Sequence, residues 1–172
     1  MEAFVASAPL FVETLRGRVL RNGLCKPLSS DQLQLCMALA VYRDGVSPRT
    51  LCNLLFPEMD PQAAMGRLKV SVHGVRAHLG PESIVFFHDS YRFSAGGFTS
   101  DLELIESLLA GTPGDGCDLV PVSEAIANLS QPLPKFYASW SWFGPVEERI
   151  ACLARDAARL VRPREGRRAN LA

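Results

Sequence analysis

Several side chains that can donate hydrogen bonds to phosphate oxygens or base edges fall within residues 62–81, a segment without any acidic residue. Arginine and lysine neutralise phosphates and reach guanine edges, and histidine and serine can donate to phosphate or base. A merely solvated helix face is typically rich in glutamate as well, so this composition favours a surface that meets an anionic partner. The candidate residues are Arg67, Lys69, Ser71, His73 and Arg76.

The same segment has a helical pattern that separates most of these donors from an apolar stripe. Four apolar residues recur at spacings of four, three and four, which is one face of a helix. The opposite sector contains Gly66 and Gly74, and each glycine costs about 1 kcal/mol in a helix interior. Small residues among isolated basic ones suit a surface that another molecule approaches closely. The alternative, which the sequence leaves open, is a helix partly covered by the protein itself. The stripe residues are Leu68, Val72, Val75 and Leu79.

A second group of donors lies on a predicted β-hairpin. Residues 84–87 and 91–93 are β-prone runs, and the segment 88–90 between them has the composition of a turn. His88 and Arg92 could contact phosphate from such a hairpin. The alternative is a polar turn without a partner, and the sequence does not decide between the two.

The sequence gives little support to catalysis, a cofactor or a metal site. It contains no glycine-rich phosphate loop, no nucleophile elbow and no HExxH pattern. Five cysteines are widely spread without a CxxC pair, which favours free thiols over zinc ligands or disulfides. We therefore expect no catalytic residue, no metal ligand and no cofactor.

Charge and hydropathy limit the partners that the chain can have. The 18 basic and 18 acidic side chains give a formal net charge of zero, so any contact with nucleic acid has to come from a local patch. No run of 18 apolar residues occurs, and we expect no membrane span. The N-terminus lacks the pattern of a secretory signal, so a cytoplasmic location is expected.

Turn and capping signals predict the elements that would position these groups. Asn22-Gly23 is typical of a tight hairpin turn. Ser47-Pro48 and Asp60-Pro61 each combine a good N-cap with a proline at the first helical position. The predicted elements are a β region at 9–29, helices at 30–43, 48–56 and 61–79, a hairpin at 83–94, and further helices at 101–110, 122–129 and 145–161.

Three helices followed by a hairpin are the order of a winged helix-turn-helix, in which the third helix enters the major groove of DNA. The preceding β region predicts the OmpR-type variant with an N-terminal sheet. The expected fold class is α+β, mainly α: a winged helix-turn-helix with an N-terminal β region and a C-terminal wing hairpin, followed by a short helical extension. The expected domains are 1–97 for DNA binding, 98–161 for the extension and 162–172 for a flexible tail.

Two stretches of the sequence carry motifs that occur together in one family. Residues 47–94 resemble the DNA-binding domain of SARP-type regulators, and residues 133–150 resemble the entry to that family's bacterial transcriptional activator domain, a helical repeat domain. The motifs of the first stretch are Leu54-Leu55-Phe56-Pro57, Asp60-Pro61, Leu68-Lys69-Val70, Val75-Arg76 and Tyr91-Arg92-Phe93; those of the second are Leu133-Pro134, Phe136, Trp140, Trp142 and Glu147-Glu148-Arg149.

The resemblance implies DNA binding through the third helix and the wing, and contact with RNA polymerase through the loop before that helix. The sequence departs from the family where Met65, Gly74 and Ala77 stand at positions that are commonly basic. Its helical extension also stops after about one helical unit, which cannot bury its apolar face alone. Either the chain is truncated, or the extension folds back on the winged helix, or a second copy or a partner protein covers it. The loop residues are Phe56, Pro57, Glu58, Met59 and Asp60.

The expected function is that of a non-catalytic, sequence-specific transcription regulator whose partner is double-stranded DNA. The alternative is a winged-helix protein-interaction module that has lost DNA binding, which the zero net charge and the thin basic face would suit. The aromatic residues between 136 and 143 are expected to pack the helical part rather than to stack on bases. The decisive structural point is whether the polar sector of the third helix is open to solvent.

Overall fold

The computed structural model of the protein describes residues 10–95, 97–111 and 119–161. This part of the chain is mixed α/β and mainly helical, and none of its helices has the length and apolar content needed to cross a bilayer. The strands are β1 Leu10–Glu13, β2 Arg18–Arg21, β3 Leu24–Cys25, β4 Ile84–Phe87, β5 Ser90–Phe93 and β6 Phe98–Ser100. The helices are α1 Ser30–Val41, α2 Pro48–Leu55, α3 Pro61–Leu79, α4 Asp101–Leu109, α5 Leu119–Asn128 and α6 Gly144–Val161, with a 3₁₀ helix at Lys135–Ser139.

An N-terminal sheet forms where the sequence predicts a β region. Its strand order is β3-β2-β1-β6, with β1 antiparallel to β2 and parallel to β6. Asn22 and Gly23 have φ angles of 55° and 74°, the left-handed conformations that a type I′ hairpin turn requires. The turn signal in the sequence therefore has the structural role that it predicts.

Helices α2 and α3 begin at the caps that the sequence indicates, and α1 begins at a capping box. Ser29 and Gln32 form a capping box at the start of α1. The Ser47 side chain accepts the Thr50 backbone N–H before α2, and the Asp60 carboxylate accepts two backbone N–H groups before α3. These side chains satisfy donors that have no partner within the helix, which fixes where each helix starts.

The apolar stripe of α3 is the centre of the helical core. Its four predicted members are each at most 3% exposed, and α3 packs with them against α1 and α2. Burial of each aliphatic side chain contributes about 1.5–3 kcal/mol. The stripe therefore fixes the rotation of α3, and with it the residues that this helix presents to solvent.

The wing is a two-stranded antiparallel sheet with a tighter turn than the sequence suggests. β4 and β5 pair so that Phe87 lies opposite Ser90, which leaves a two-residue loop of His88 and Asp89. Both loop residues have positive φ, 47° and 56°. An isolated bridge between Val46 and Tyr91 ties β5 to the segment between α1 and α2.

The domain boundary expected at residue 97 does not separate two independent units. Residues 98–100 form β6, which pairs with β1, so this strand belongs to the N-terminal sheet. Helix α4 follows directly and packs against β1 and β6. In the part of the chain that the structure describes, the extension therefore folds back on the winged helix. The tail predicted at 162–172 lies outside the described residues.

Two buried polar groups join the extension to the turn after β1. The Asp101 carboxylate accepts the backbone N–H groups of Thr14, Leu15 and Leu102 at 3.0, 2.8 and 2.8 Å. The Tyr137 hydroxyl donates to the Thr14 carbonyl at 2.6 Å. We call the hydrogen bonds of these two side chains, Asp101 and Tyr137, the junction.

The aromatic residues of the extension surround the junction and pack with one another. The rings of Tyr137 and Phe143 stack with centroids 3.8 Å apart. Gly17, at φ 63°, has the Phe136 ring against it, and a Cβ there would lie 2.3 Å from a ring carbon. The cluster thus packs the helical part, as expected.

Candidate nucleic-acid interface

The sector of α3 opposite its apolar stripe is open to solvent. Because Leu68, Val72 and Val75 are buried, the side of the helix opposite them faces outward. No acidic residue occurs on this helix. The described hydrogen bonds that join the extension to β1 and its turn lie elsewhere in the molecule. We call this surface the outer face; its exposed residues are Gly66, Lys69, Val70, His73 and Ala77.

Lys69 and His73 are the donors of the outer face that extend into solvent. They lie four residues apart and therefore on adjacent turns of one helix face. Within the described residues, neither has an ion-pair partner. Val70 lies beside Lys69 and is 71% exposed. The outer face thus combines hydrogen-bond donors with an apolar contact.

Arg67 borders the outer face, but the protein itself holds its guanidinium. Nε and Nη2 donate to Oδ2 and Oδ1 of Asp31 on α1, at 2.5 and 3.0 Å. The guanidinium lies over the Phe56 ring, 4.9 Å from its centroid, and Nη1 lies 3.6 Å from the Met59 sulfur. The hydrogen bond to Asp31 raises the pKa of Arg67. Arg67 therefore links α1 to the loop before α3.

Two of the predicted DNA contacts are directed into the protein. Ser71 is 4% exposed, and its hydroxyl donates to the Arg67 carbonyl at 3.0 Å. Arg76 is half-buried and donates from Nε and Nη2 to the Ile84 carbonyl on β4, at 3.0 and 2.8 Å. Periodicity places both residues on the flanks of the helix, where Ser71 bonds to the backbone of α3 and Arg76 bonds to β4. Ser71 is therefore not accessible in this structure, and Arg76 links α3 to the wing.

The two glycines of α3 have different surroundings. A Cβ on Gly74 would lie 2.1 Å from Nε2 of Gln32, whereas a Cβ on Gly66 would have no heavy atom within 4 Å. Gly74 therefore makes room for Gln32, the second member of the α1 capping box. Gly66 remains open, as a surface approached by another molecule requires. Gly74 is thus covered by the protein itself, whereas the close-approach interpretation of Gly66 stays a prediction.

The wing presents His88 at its tip and packs Arg92 along its strands. The His88 ring is exposed and lies 3.9 Å, centroid to centroid, from the Phe87 ring. The Arg92 guanidinium lies 4.6 Å from the Phe87 centroid, and its Nε is buried without a hydrogen-bond partner. Of the two predicted wing contacts, His88 is therefore the accessible one.

The loop before α3 divides into buried and exposed residues. Phe56 is 6% exposed beneath Arg67, and the Asp60 carboxylate accepts the Gln62 and Ala63 N–H groups. Both therefore have structural roles, and the buried Phe56 ring offers little surface to a partner. Pro57 and Glu58 are exposed, and Met59 is half-buried.

The described residues contain no group of three His, Cys, Asp or Glu side chains that could hold a metal ion. The described cysteines are free thiols. Burial raises the pKa of Cys36 and of Cys52, so neither is a reactive thiolate at neutral pH.

Comparison with known proteins supports the fold. No protein-family model and no curated protein sequence matches the chain. A solved structure of EmbR from Mycobacterium tuberculosis, in complex with a low-affinity phosphopeptide, matches 87% of the chain with a TM-score of 0.59 and 16% sequence identity. The chain spans 43% of the length of that EmbR chain. At this identity the likeness concerns the fold alone, and it supports a winged-helix fold like that of SARP-type regulators.

Neither Asp31 nor Val70 was identified from the sequence as a residue of the candidate interface. Asp31 lies in the first turn of α1, where the helix dipole favours an acidic residue, so its presence has a local explanation. It lies 36 residues from Arg67, and no periodicity connects the two. The exposure of Val70 could have been predicted, because its position falls in the polar sector of α3.

Proposed function

We propose that the chain is the DNA-binding part of a transcription regulator, with α3 in the major groove and the wing against the neighbouring backbone. The observation that carries the proposal is the outer face of α3, which is exposed, free of acidic residues and bordered by basic ones. The fold likeness to EmbR supports the winged-helix architecture on which this proposal depends. An α-helix fits the width of the major groove, about 12 Å.

Each exposed residue of the outer face has a chemical counterpart in DNA. Lys69 can contact a phosphate or a guanine edge, and His73 can donate to either kind of acceptor. Val70 can contact the methyl group of thymine. Gly66 and Ala77 are small enough to let the helix approach the base edges closely. The proposed site therefore rests on Lys69, Val70 and His73 rather than on the arginines.

The wing and the loop before α3 have supporting roles in this proposal. His88 at the wing tip would contact a backbone phosphate. The exposed Pro57 and Glu58 would be the part of the loop that contacts RNA polymerase, since Phe56 and Asp60 are occupied within the protein. A DNA-bound regulator would present this loop beside the helix that reads the groove.

The first test is a Lys69→Ala variant measured by fluorescence anisotropy on duplexes selected from randomised DNA. Loss of one phosphate contact should weaken binding about tenfold and should reduce the slope of log affinity against log salt by about 1. Lys135→Ala is the matched control, because Lys135 is exposed on the extension and carries the same charge. It should bind like the wild type.

The rival function is a protein-interaction module, and the exposed apolar side chains favour it. Val70 is 71% exposed, and Phe86 and Phe87 on the wing are 53% and 50% exposed. No binding to any duplex at about 50 mM salt, where phosphate contacts are strong, together with a stable dimer in size-exclusion chromatography, would support the rival. Equal affinities of the Lys69→Ala and Lys135→Ala variants would remove Lys69 from the site.

A further inference from the structure

The guanidinium of Arg67 lies beside the outer face, and the protein itself already binds it on several sides. Two of its nitrogens form a fork with the Asp31 carboxylate, one face of the guanidinium plane lies over the Phe56 ring, and Nη1 lies against the Met59 sulfur. Even so, the Arg67 side chain is 50% exposed and that of Asp31 is 26% exposed. The pair therefore lies at the edge of the surface proposed to meet DNA.

We propose that Asp31 is an intramolecular competitor of DNA phosphate for Arg67. This inference rests on the proposed function and adds a built-in limit on the affinity of the same site. A carboxylate and a phosphate both accept two parallel N–H bonds from arginine, so Asp31 occupies the geometry that a phosphate would take. DNA gains the Arg67 contact only when that fork opens.

The position of Asp31 keeps its carboxylate beside Arg67. It lies in the first turn of α1, where the helix dipole stabilises a negative charge. The capping box of Ser29 and Gln32 fixes that turn, and Gln32 packs against Gly74 of α3. The carboxylate is thus held beside α3 by packing as well as by charge.

The consequence is a lower affinity for DNA of any sequence. Non-specific binding depends on phosphate contacts, so masking one arginine weakens it most directly. In a chain with a net charge of zero, no overall excess of basic residues makes up for the masked arginine. The Asp31–Arg67 pair would therefore make the protein depend on the base contacts of Lys69 and His73.

The test is an Asp31→Asn variant, which keeps the shape of the side chain and removes its charge. We expect its affinity for random duplex DNA to rise about fivefold to tenfold, the size of one charge-assisted contact. The salt slope should become steeper by about 0.9, since one more phosphate is neutralised. Circular dichroism checks the fold, and Asp31→Ser serves if the amide variant does not fold. Asp44→Asn, at an exposed aspartate between α1 and α2, is the matched control and should leave the affinity unchanged.

A double-mutant cycle separates the competitor from a general charge effect. In the Arg67→Gln background, Asp31→Asn should change neither the affinity nor the salt slope, because no arginine is left to release. An equal increase in both backgrounds would mean that Asp31 only repels DNA through space, and it would overturn the proposal. Weaker binding by Asp31→Asn in the wild-type background would also overturn it, because Asp31 would then orient Arg67 for DNA.

The outcomes also distinguish this inference from the proposed function. If the wild type binds duplex DNA and Asp31→Asn does not bind more tightly, only the inference fails. If neither protein binds at low salt, the proposed function fails and takes the inference with it. If Asp31→Asn binds and the wild type does not, both are supported, since the competitor would then be what prevents binding.

Discussion

The junction beneath the extension and the outer face of α3 are built in opposite ways. At the junction, a single carboxylate, that of Asp101, satisfies three backbone N–H groups, and the Tyr137 hydroxyl is buried against a carbonyl. On the outer face, Lys69 and His73 extend into solvent. Buried polar groups are costly to leave unpaired, whereas exposed donors can exchange water for a partner. The comparison contrasts polar groups that are buried and paired within the protein with polar groups that are open to solvent, where the proposed DNA contacts lie.

Arg67 and Arg76 lie between these two extremes. Each is near the outer face, and each is already bound within the protein, Arg67 to Asp31 and Arg76 to the Ile84 carbonyl. Such residues hold α3 in place against α1 and the wing. A basic side chain on a predicted recognition helix is therefore not by itself a DNA contact.

The largest expected effect comes from Asp101→Ala, which would break the junction. It leaves the buried N–H groups of Thr14 and Leu15 without their acceptor, so the free energy of unfolding should fall by about 3 kcal/mol. The measurement is urea unfolding followed by tryptophan fluorescence, since both tryptophans of the chain lie in the extension. Asp156→Ala, at an exposed position of α6, is the control and should have little effect. A loss no larger than that of this control would remove the contrast between the two regions.

A second prediction concerns the pH dependence of the same contact. Burial raises the pKa of Asp101 from 3.8 to about 6, against the opposing effect of its three backbone hydrogen bonds. Between these values the native state holds a proton that the unfolded chain has lost, so this group stabilises the fold as pH falls and loses that contribution as pH rises through 6. From pH 7 to pH 5 the expected gain is about 1.4 kcal/mol.

The Asp101→Ala variant provides the reference for this measurement, because it lacks the titrating group and keeps the others. The difference in unfolding free energy between wild type and variant should increase from pH 7 to pH 5. A difference that stays constant over this range would contradict the raised pKa of Asp101.

Local signals in the sequence predicted the elements that surround both regions. The caps at Ser47 and Asp60, the turn at Asn22-Gly23 and the apolar stripe of α3 depend on neighbours within a few residues, and each forms as expected. Such features depend on backbone geometry and periodicity, which a single sequence displays.

Contacts between distant residues could not be predicted in the same way. β6 pairs with β1, and Asp101 binds Thr14 from 87 residues away. No local sequence pattern in either member of these pairs predicts its partner. The same limit explains Arg67, whose partner Asp31 belongs to another helix. The sequence thus identified the outer face as a surface, but it assigned too many of the nearby polar residues to that surface.

The smallest of these effects is expected from Tyr137→Phe, which removes one oxygen from the junction and keeps the ring stacked on Phe143. The Thr14 carbonyl would lose the hydroxyl as a donor but would keep the Gly17 N–H at 3.3 Å, so the loss should be about 1 kcal/mol. Tyr42→Phe is the matched control, because the Tyr42 ring is 39% exposed beside Trp142 and should lose almost nothing. Equal losses in urea unfolding would show that the buried hydroxyl adds no stability, and Asp101 would then be the stabilising member of the junction.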